Sequence, residues 1–123
     1  MRQELTAPDR VALVQRLWEA WRDGRMDDAA TTMHPDVVWR PITPTGRAEY
    51  RGPAGVRQMR VDIERLRGAM DLHVDDILAT EGDTVRAVGS VRYPEDDQRT
   101  MFAVVFSFRD GLISLIETVF GRG

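Results

Sequence analysis

The sequence predicts an α+β domain in which helices come first and a run of hairpin-linked strands follows, with the helices packed on one face of a curved sheet. Apolar residues recur three and four apart in the first half, at Val11, Val14, Leu17, Trp18 and Trp21 and again at Val56, Met59, Ile63 and Leu66, which is the helical period. The second half holds strand-like runs separated by the turn signals Glu81-Gly82-Asp83, Pro94 to Gln98 and Asp110-Gly111. Joints that short make neighbouring strands antiparallel. At 123 residues, without repeat, linker or low-complexity tract, the chain reads as one domain over 1–123.

The first helix is expected over 8–22, with Pro8 in its first turn and Gly24 near its end. A shorter one follows from Asp27 to Met33 and is stopped by His34-Pro35, since the residue before proline is pushed out of the helical region. Asp36 then turns the chain into a strand over Val37 to Ile42. After the loop TPTGRAEYRG, Pro53 opens a third helix carrying Val56, Met59, Ile63 and Leu66 on one stripe, with Gly68 as its stop. Strands are expected at 70–80, 84–93, 99–109 and 112–120.

Composition removes several chemistries. All 17 basic residues are arginine, and the chain has neither lysine nor cysteine, so Schiff bases, thiol nucleophiles, disulfides and cysteine metal sites are excluded. A net charge of −3 with arginines dispersed along the chain gives no nucleic-acid footprint. No apolar run reaches the roughly 20 residues of a membrane span, and the N-terminus lacks the apolar segment of a signal peptide. A cytoplasmic protein, with no membrane or nucleic-acid partner and no cofactor, is the expectation. The alternation of Arg57, Arg60, Arg65 and Arg67 with Asp62 and Glu64 reads as a solvated helix face.

In Met101 to Phe108 both strand parities are apolar: Phe102, Val104, Phe106 and Phe108 on one face, Met101, Ala103 and Val105 on the other. A strand covered on one side only would alternate with polar residues, so a second surface is expected over the outer face. With the helices on the concave side, a second copy of the chain is the expected cover, giving a homodimer through Met101, Ala103 and Val105.

Candidate chemistry is sparse. Asp71, His73 and Asp75 fall on one strand face at i, i+2 and i+4, a row whose ligand types permit a divalent metal but which a charged edge strand explains better, and no metal site is assigned. His34, in the turn MHPD, is the better histidine for a pH-dependent role because imidazole titrates near neutrality. Trp21, Trp39, Phe102, Phe106 and Phe120 would form an aromatic funnel for a flat apolar molecule, and Tyr50 and Tyr93 offer phenols to orient a carbonyl or hydroxyl. On the last strand, alternation admits either Glu117 or Thr118 to the interior, and a one-residue slip reverses every side chain. An inward Glu117 would have its pKa raised by desolvation and become the natural acid or base. Gly52-Pro53-Ala54-Gly55 lacks the lysine and spacing of a nucleotide loop, and Ser90 has no nucleophile-elbow context.

The order of elements, together with LVQRLWEAWRDGRMDDAATTMHPDVVW, YRGPAGV and FSFRDGLISLIETVFG, resembles the SnoaL-like branch of the nuclear-transport-factor-2-like (NTF2-like) superfamily over essentially the whole chain. The resemblance implies a cone-shaped α+β barrel, with three N-terminal helices on a strongly curved, mainly antiparallel sheet, a deep apolar pocket, and often a homodimer through the outer sheet face. It does not carry a reaction, since this superfold hosts isomerases, cyclases, hydrolases and non-catalytic domains. Aligned on the ketosteroid isomerases, the helix-one tyrosine falls on Leu17, the first-strand aspartate on Arg40 or Pro41, and the later-strand aspartate on Val104, so that catalytic set is absent. The pocket carboxylate that many SnoaL-like members carry on the last strand falls on Thr118. The paired carboxylates and bridging arginine of limonene epoxide hydrolases have no counterpart on inward parities.

The expected function is therefore binding of a small, largely apolar molecule in an aromatic-lined pocket. Acid-base chemistry of isomerase, cyclase or hydratase type would draw on His34, Tyr50, Tyr93 or Glu117, and Leu17, Trp21, Trp39, Phe102, Val104, Phe106, Thr118 and Phe120 would line the site. The alternative is a non-catalytic binding, regulatory or dimeric scaffold domain.

Overall fold

Thr6 starts the first helix by a reciprocal cap. Its hydroxyl accepts from the Asp9 N–H and the Asp9 carboxylate accepts from the Thr6 N–H, each at 3.2 Å, which satisfies two donors that the helix cannot pair itself. A computed structural model of the chain describes residues 5–41, 44–80 and 82–122, with 119–122 as backbone. Helix α1 spans Ala7–Arg22 and buries Val14, Leu17, Trp18 and Trp21. Helix α2, Met26–Ala30, is shorter than expected: the Thr32 hydroxyl donates to Ala29 O at 2.7 Å, and the chain then enters strand β1, Met33–Arg40.

The expected helix stop at His34-Pro35 is thus corrected, because both residues lie inside β1. Pairing of β1 with the last strand shifts register between Met33 and Val38. Pro35, with no N–H to give, sits in that interrupted stretch.

A two-residue strand that the sequence did not disclose, β2 (Tyr50–Arg51), leads into helix α3, Gly52–Arg67. Gly52 has φ 73°, a region glycine enters without steric cost. Val56, Met59 and Ile63 are buried as expected, but Leu66 is 52% exposed while Asp62 is buried. The stripe therefore ends at Ile63, and the Asp62 position turns inward.

Strands β3 (Asp71–Ala79), β4 (Val85–Arg92), β5 (Thr100–Arg109) and β6 (Leu112–Arg122) follow within one or two residues of the expected bounds. Asp110 and Gly111 both have positive φ, 54° and 78°, as a two-residue hairpin with right-handed strand twist requires. The sheet order is β2-β1-β6-β5-β4-β3. Only β1 and β6 pair in parallel among the described strands.

The sheet is curved but does not close into a barrel. Its edges, β2 and β3, are bridged by helices: α1 packs against β3, α3 against β1 and β2, and α2 against α1. Residues sharing a register position stand on one face. Trp39, Ile116 and Phe106 form one inward row, and Arg40, Glu117 and Val105 the adjacent outward row. At Gly89 on β4, an added Cβ would lie 2.1 Å from His73 O and 3.0 Å from Phe102 Cζ, so only glycine lets β3 approach and leaves room for the Phe102 ring. No helix among the described residues is long and apolar enough to cross a membrane.

Candidate functional site

The inward face of the sheet and helices α1 and α3 enclose an apolar cavity lined by Trp18, Trp21, Trp39, Met59, Leu72 and Tyr93, with Pro41, Ile63, Met70 and Val91 completing it. Its chemistry follows from helical spacing: Trp18 and Trp21 share the inner stripe of α1, Met59 and Ile63 that of α3. Trp21 and Trp39 lie 4.7 Å apart at 39°, and Trp18 meets Trp39 edge-on at 6.1 Å and Phe106 edge-on at 6.0 Å. Such offset and edge contacts are the favoured ring geometries.

The rings fill the cone. The remaining space is about 30 Å³, enough for one or two waters, whereas a drug-sized ligand needs roughly 300 Å³ or more. Where the resemblance implies a deep apolar pocket, the described residues leave a narrow cavity, which a ligand larger than water enters only if the tryptophans or Tyr93 move.

Trp21, Trp39 and Tyr93 reach this cavity. Leu17, Phe102, Val104 and Phe106 are fully buried and pack around it without lining it; the Phe102 ring stands 5.8 Å from Trp18. The side chain of Phe120 lies outside the described residues. Sequence reasoning allowed Trp18 either to line a cavity or to fill the core, and left Met59 and Ile63 out of the site, although the periodicity that made α3 amphipathic was the signal that would have included them. The Trp18 indole N–H is buried and without an acceptor among the described residues, which costs about 1–3 kcal/mol.

Tyr50 belongs elsewhere. Its ring is buried on the inward face, but its hydroxyl donates to Asp62 Oδ2 at 2.7 Å and lies 2.7 Å from Thr45 Oγ1. Gln58 Nε2 donates to the other Asp62 oxygen at 2.8 Å, with Arg65 at 3.5 Å. These bonds hold the Asp62 carboxyl below its ordinary pKa, the Tyr50 hydroxyl contributing most and Gln58 next. Burial, with Asp62 as a further cause, pushes the Tyr50 phenol up. The network ties β2 and its loop to α3, and Tyr50 does not line the cavity.

His34 lies at the far end of β1, five residues or roughly 16 Å along the strand from Trp39. Its Nδ1 accepts the Asp36 N–H at 2.9 Å, and its Nε2 accepts from Arg109 Nε at 3.3 Å and lies 3.4 Å from Asp110 Oδ2. Arg109 Nη2 lies 3.2 Å from the ring nitrogens and donates to Asp36 Oδ2 at 3.0 Å. The cluster pins the start of β1 to the β5–β6 turn, away from the cavity.

On β6, Glu117 faces outward and pairs with Arg40, while Thr118 is in register with inward Val104 and donates to Arg40 O at 3.2 Å. Glu117 is therefore removed from the interior. The row Asp71, His73, Asp75 is broken as well, because β3 bulges between Val74 and Asp76. Asp71 is engaged by Arg99 Nη1 at 2.8 Å, which holds its carboxyl below the ordinary range. No group of His, Cys, Asp or Glu able to hold a metal occurs among the described residues.

An open curved sheet with α1 and α3 over its concave face, enclosing an aromatic cavity, defines an NTF2-like α+β domain. The model of the SnoaL-like domain family matches residues 14–116, and the chain belongs to that family. Among solved structures it is similar to TerC co-crystallised with polyporic acid (TM-score 0.77, 21% identity, 91% of each chain covered). It is also similar to a candidate ketosteroid isomerase from Kribbella flavida (TM-score 0.74, 19% identity, 91% of this chain and 77% of that one). An NTF2-like protein of unknown function from Burkholderia pseudomallei aligns with TM-score 0.77 and 20% identity over 91% and 90% of the two chains. At these identities the likeness shows the fold. A search of curated proteins returns no match.

Proposed function

We propose that this protein binds a small, largely apolar molecule in the cavity between α1, α3 and the sheet, and that the binding is not coupled to acid-base chemistry there. The observation that carries the reading is the lining: three tryptophans, aliphatic residues and methionines, with the Tyr93 phenol as the one titratable group among the described residues that line it. Among the described residues no carboxylate or imidazole lines the cavity, where a general acid or base would have to reach the ligand. Glu117 and His34 point or lie elsewhere, and Tyr50 is committed to Asp62. That TerC was co-crystallised with polyporic acid supports a small organic ligand for this fold.

The test is quenching of tryptophan fluorescence by a panel of neutral apolar carbonyl compounds. Saturable quenching by at least one member, weakened about tenfold by Trp39→Ala, is expected. Silence across the panel, or Trp39→Ala binding as well as the wild type, would overturn the reading. A second reading, a scaffold domain with a vestigial cavity, draws on the small volume of about 30 Å³ and is the one that silence would favour.

We also propose that the outer sheet face pairs with a second copy. Met101 is 48% exposed and Leu78 50%, and the outward positions Val88, Ala103, Val105 and Leu115 continue the apolar surface between them. Arg86, in register between Leu78 and Val105, and the Arg40–Glu117 pair beyond Val105 add charge to the same face.

A further inference from the structure

The interior cavity reaches the surface at one end of the sheet. Strands β1, β6 and β4 run in the same direction, because β1 pairs with β6 in parallel and β6, β5 and β4 follow antiparallel to one another. Pro41 just past β1, Tyr93 just past β4 and Met70 just before β3 therefore line the cavity from the same end. Pro41 and Met70 are half-buried while the rest of the described lining is buried, which marks this end as the mouth.

With about 30 Å³ inside, a ring has to leave before a small organic molecule enters. The tryptophans are poorly placed to leave. Trp18 and Trp21 stand within α1 and Trp39 within β1, between β2 and β6. Their rings brace one another and Phe102 and Phe106 at centroid distances between 4.7 and 6.1 Å. Tyr93 instead follows the last ladder pair of β4, Arg92 with Asp71, on a turn closed by the Asp96 N–H donating to Tyr93 O at 2.9 Å.

We propose that Tyr93 is the gate of the cavity, that its ring swings out of the mouth to admit a ligand, and that Arg67 and Asp96 are positioning residues that latch it shut. This rests on the cavity-binding reading and adds how the site is reached. The Arg67 guanidinium lies 4.7 Å over the Tyr93 ring centre, and its side chain is 37% exposed against 4% for Tyr93. The cation thus covers the ring from the solvent side. Asp96 Oδ1 accepts from Arg67 Nη2 at 2.6 Å, and Oδ2 accepts the Tyr93 N–H at 2.9 Å. One carboxylate fixes both the cation over the ring and the backbone beneath it. The end of α3 is packed on the same turn: Gly68 has φ 87°, and a Cβ there would lie 3.2 Å from Pro94 Cγ. Arg60 stacks on Trp21 at 5.2 Å, but its partner Glu64 lies one turn along the same helix, so that contact joins no separate elements.

The latch is weak by construction, since a half-exposed cation–ring contact or ion pair shifts an equilibrium only about threefold. A ligand that binds only the open form has its apparent affinity reduced by the open fraction. Loss of the latch therefore tightens binding, the opposite of losing a ligand contact.

Acrylamide quenching tests the gate without any ligand, because all three tryptophans of the chain are buried and line the cavity. Arg67→Ala and Asp96→Asn, whose amide oxygen still accepts the Tyr93 N–H, are each expected to raise the quenching constant about threefold. Tyr50→Phe, which weakens the fold away from the mouth, should leave the constant at its wild-type value. Tyr93→Ala should raise it, and adding Arg67→Ala to that variant should change nothing more, because the two act as one unit. Acetophenone, followed by the same fluorescence, should bind both latch variants about threefold tighter than wild type. A quenching constant unchanged in both latch variants, an equal rise in Tyr50→Phe, a further rise on adding Arg67→Ala to Tyr93→Ala, or measurable ketone binding no tighter in the latch variants would each overturn the gate. Silence toward acetophenone in every protein, with acrylamide access raised by the latch variants, would overturn the cavity-binding reading and support the gate.

Discussion

At Tyr50 a phenol that sequence reasoning assigned to ligand chemistry is occupied by Asp62 and Thr45, each at 2.7 Å. Tyr50→Phe should therefore cost about 1–2 kcal/mol of stability and leave ligand binding unchanged, as paired denaturant and fluorescence titrations would show. The sign of the pH effect follows from Asp62. Its folded pKa is lowered, so its contribution is full above the unfolded value of about 4 and is lost as pH falls through the lower folded value. Tyr50→Phe removes the largest cause of that lowering, so the stability gap between wild type and variant should hold near neutrality and narrow below about pH 4. A gap that widened in acid would contradict this assignment. Asp62 was illegible in the sequence because its charged neighbours Arg60, Glu64 and Arg65 make the same pattern as a solvated face. Only the reach of Tyr50 from a two-residue strand distinguishes them.

Among the elements, β6 shows which kind of fact alternation cannot carry. Its inward and outward parities are both partly apolar, so Glu117 and Thr118 could be told apart only by pairing, and pairing places Glu117 beside outward Arg40 and Val105. The helices were legible, with α1 within one residue of its expected bounds, because a 3.6-residue apolar period and a proline in the first turn reinforce each other. The bulge in β3 was not, since an extra residue leaves no compositional mark in DLHVDDILA. It took Asp75 off the Asp71–His73 face, which Asp76 continues instead. Gly89, opposite this irregular strand, was likewise silent in the sequence. Gly89→Ala should destabilise by about 1–3 kcal/mol, read as a lowered midpoint in urea, because the new Cβ meets backbone at 2.1 Å rather than a movable side-chain tip.

For the whole molecule, the order of elements was enough to identify the SnoaL-like domain, but the volume enclosed by the fold was not. Whether three tryptophans line a pocket or fill it depends on ring orientations, and the contacts among Trp18, Trp21, Trp39 and Phe106 reduce the cone to about 30 Å³. The outer face carries a further expectation: sedimentation at micromolar concentration should give twice 14.0 kDa, and Met101→Arg should shift it to the monomer by placing charge on an exposed apolar position of that face. A wild-type monomer would sink the second-copy proposal without touching the cavity. The cavity itself is tested most directly by following the indole N–H resonances during titration with a neutral aryl ketone such as acetophenone. Saturable movement of the Trp21 and Trp39 signals, lost in Trp39→Ala, is the predicted result; indole signals that stay fixed to millimolar ketone would contradict the binding function proposed for this fold.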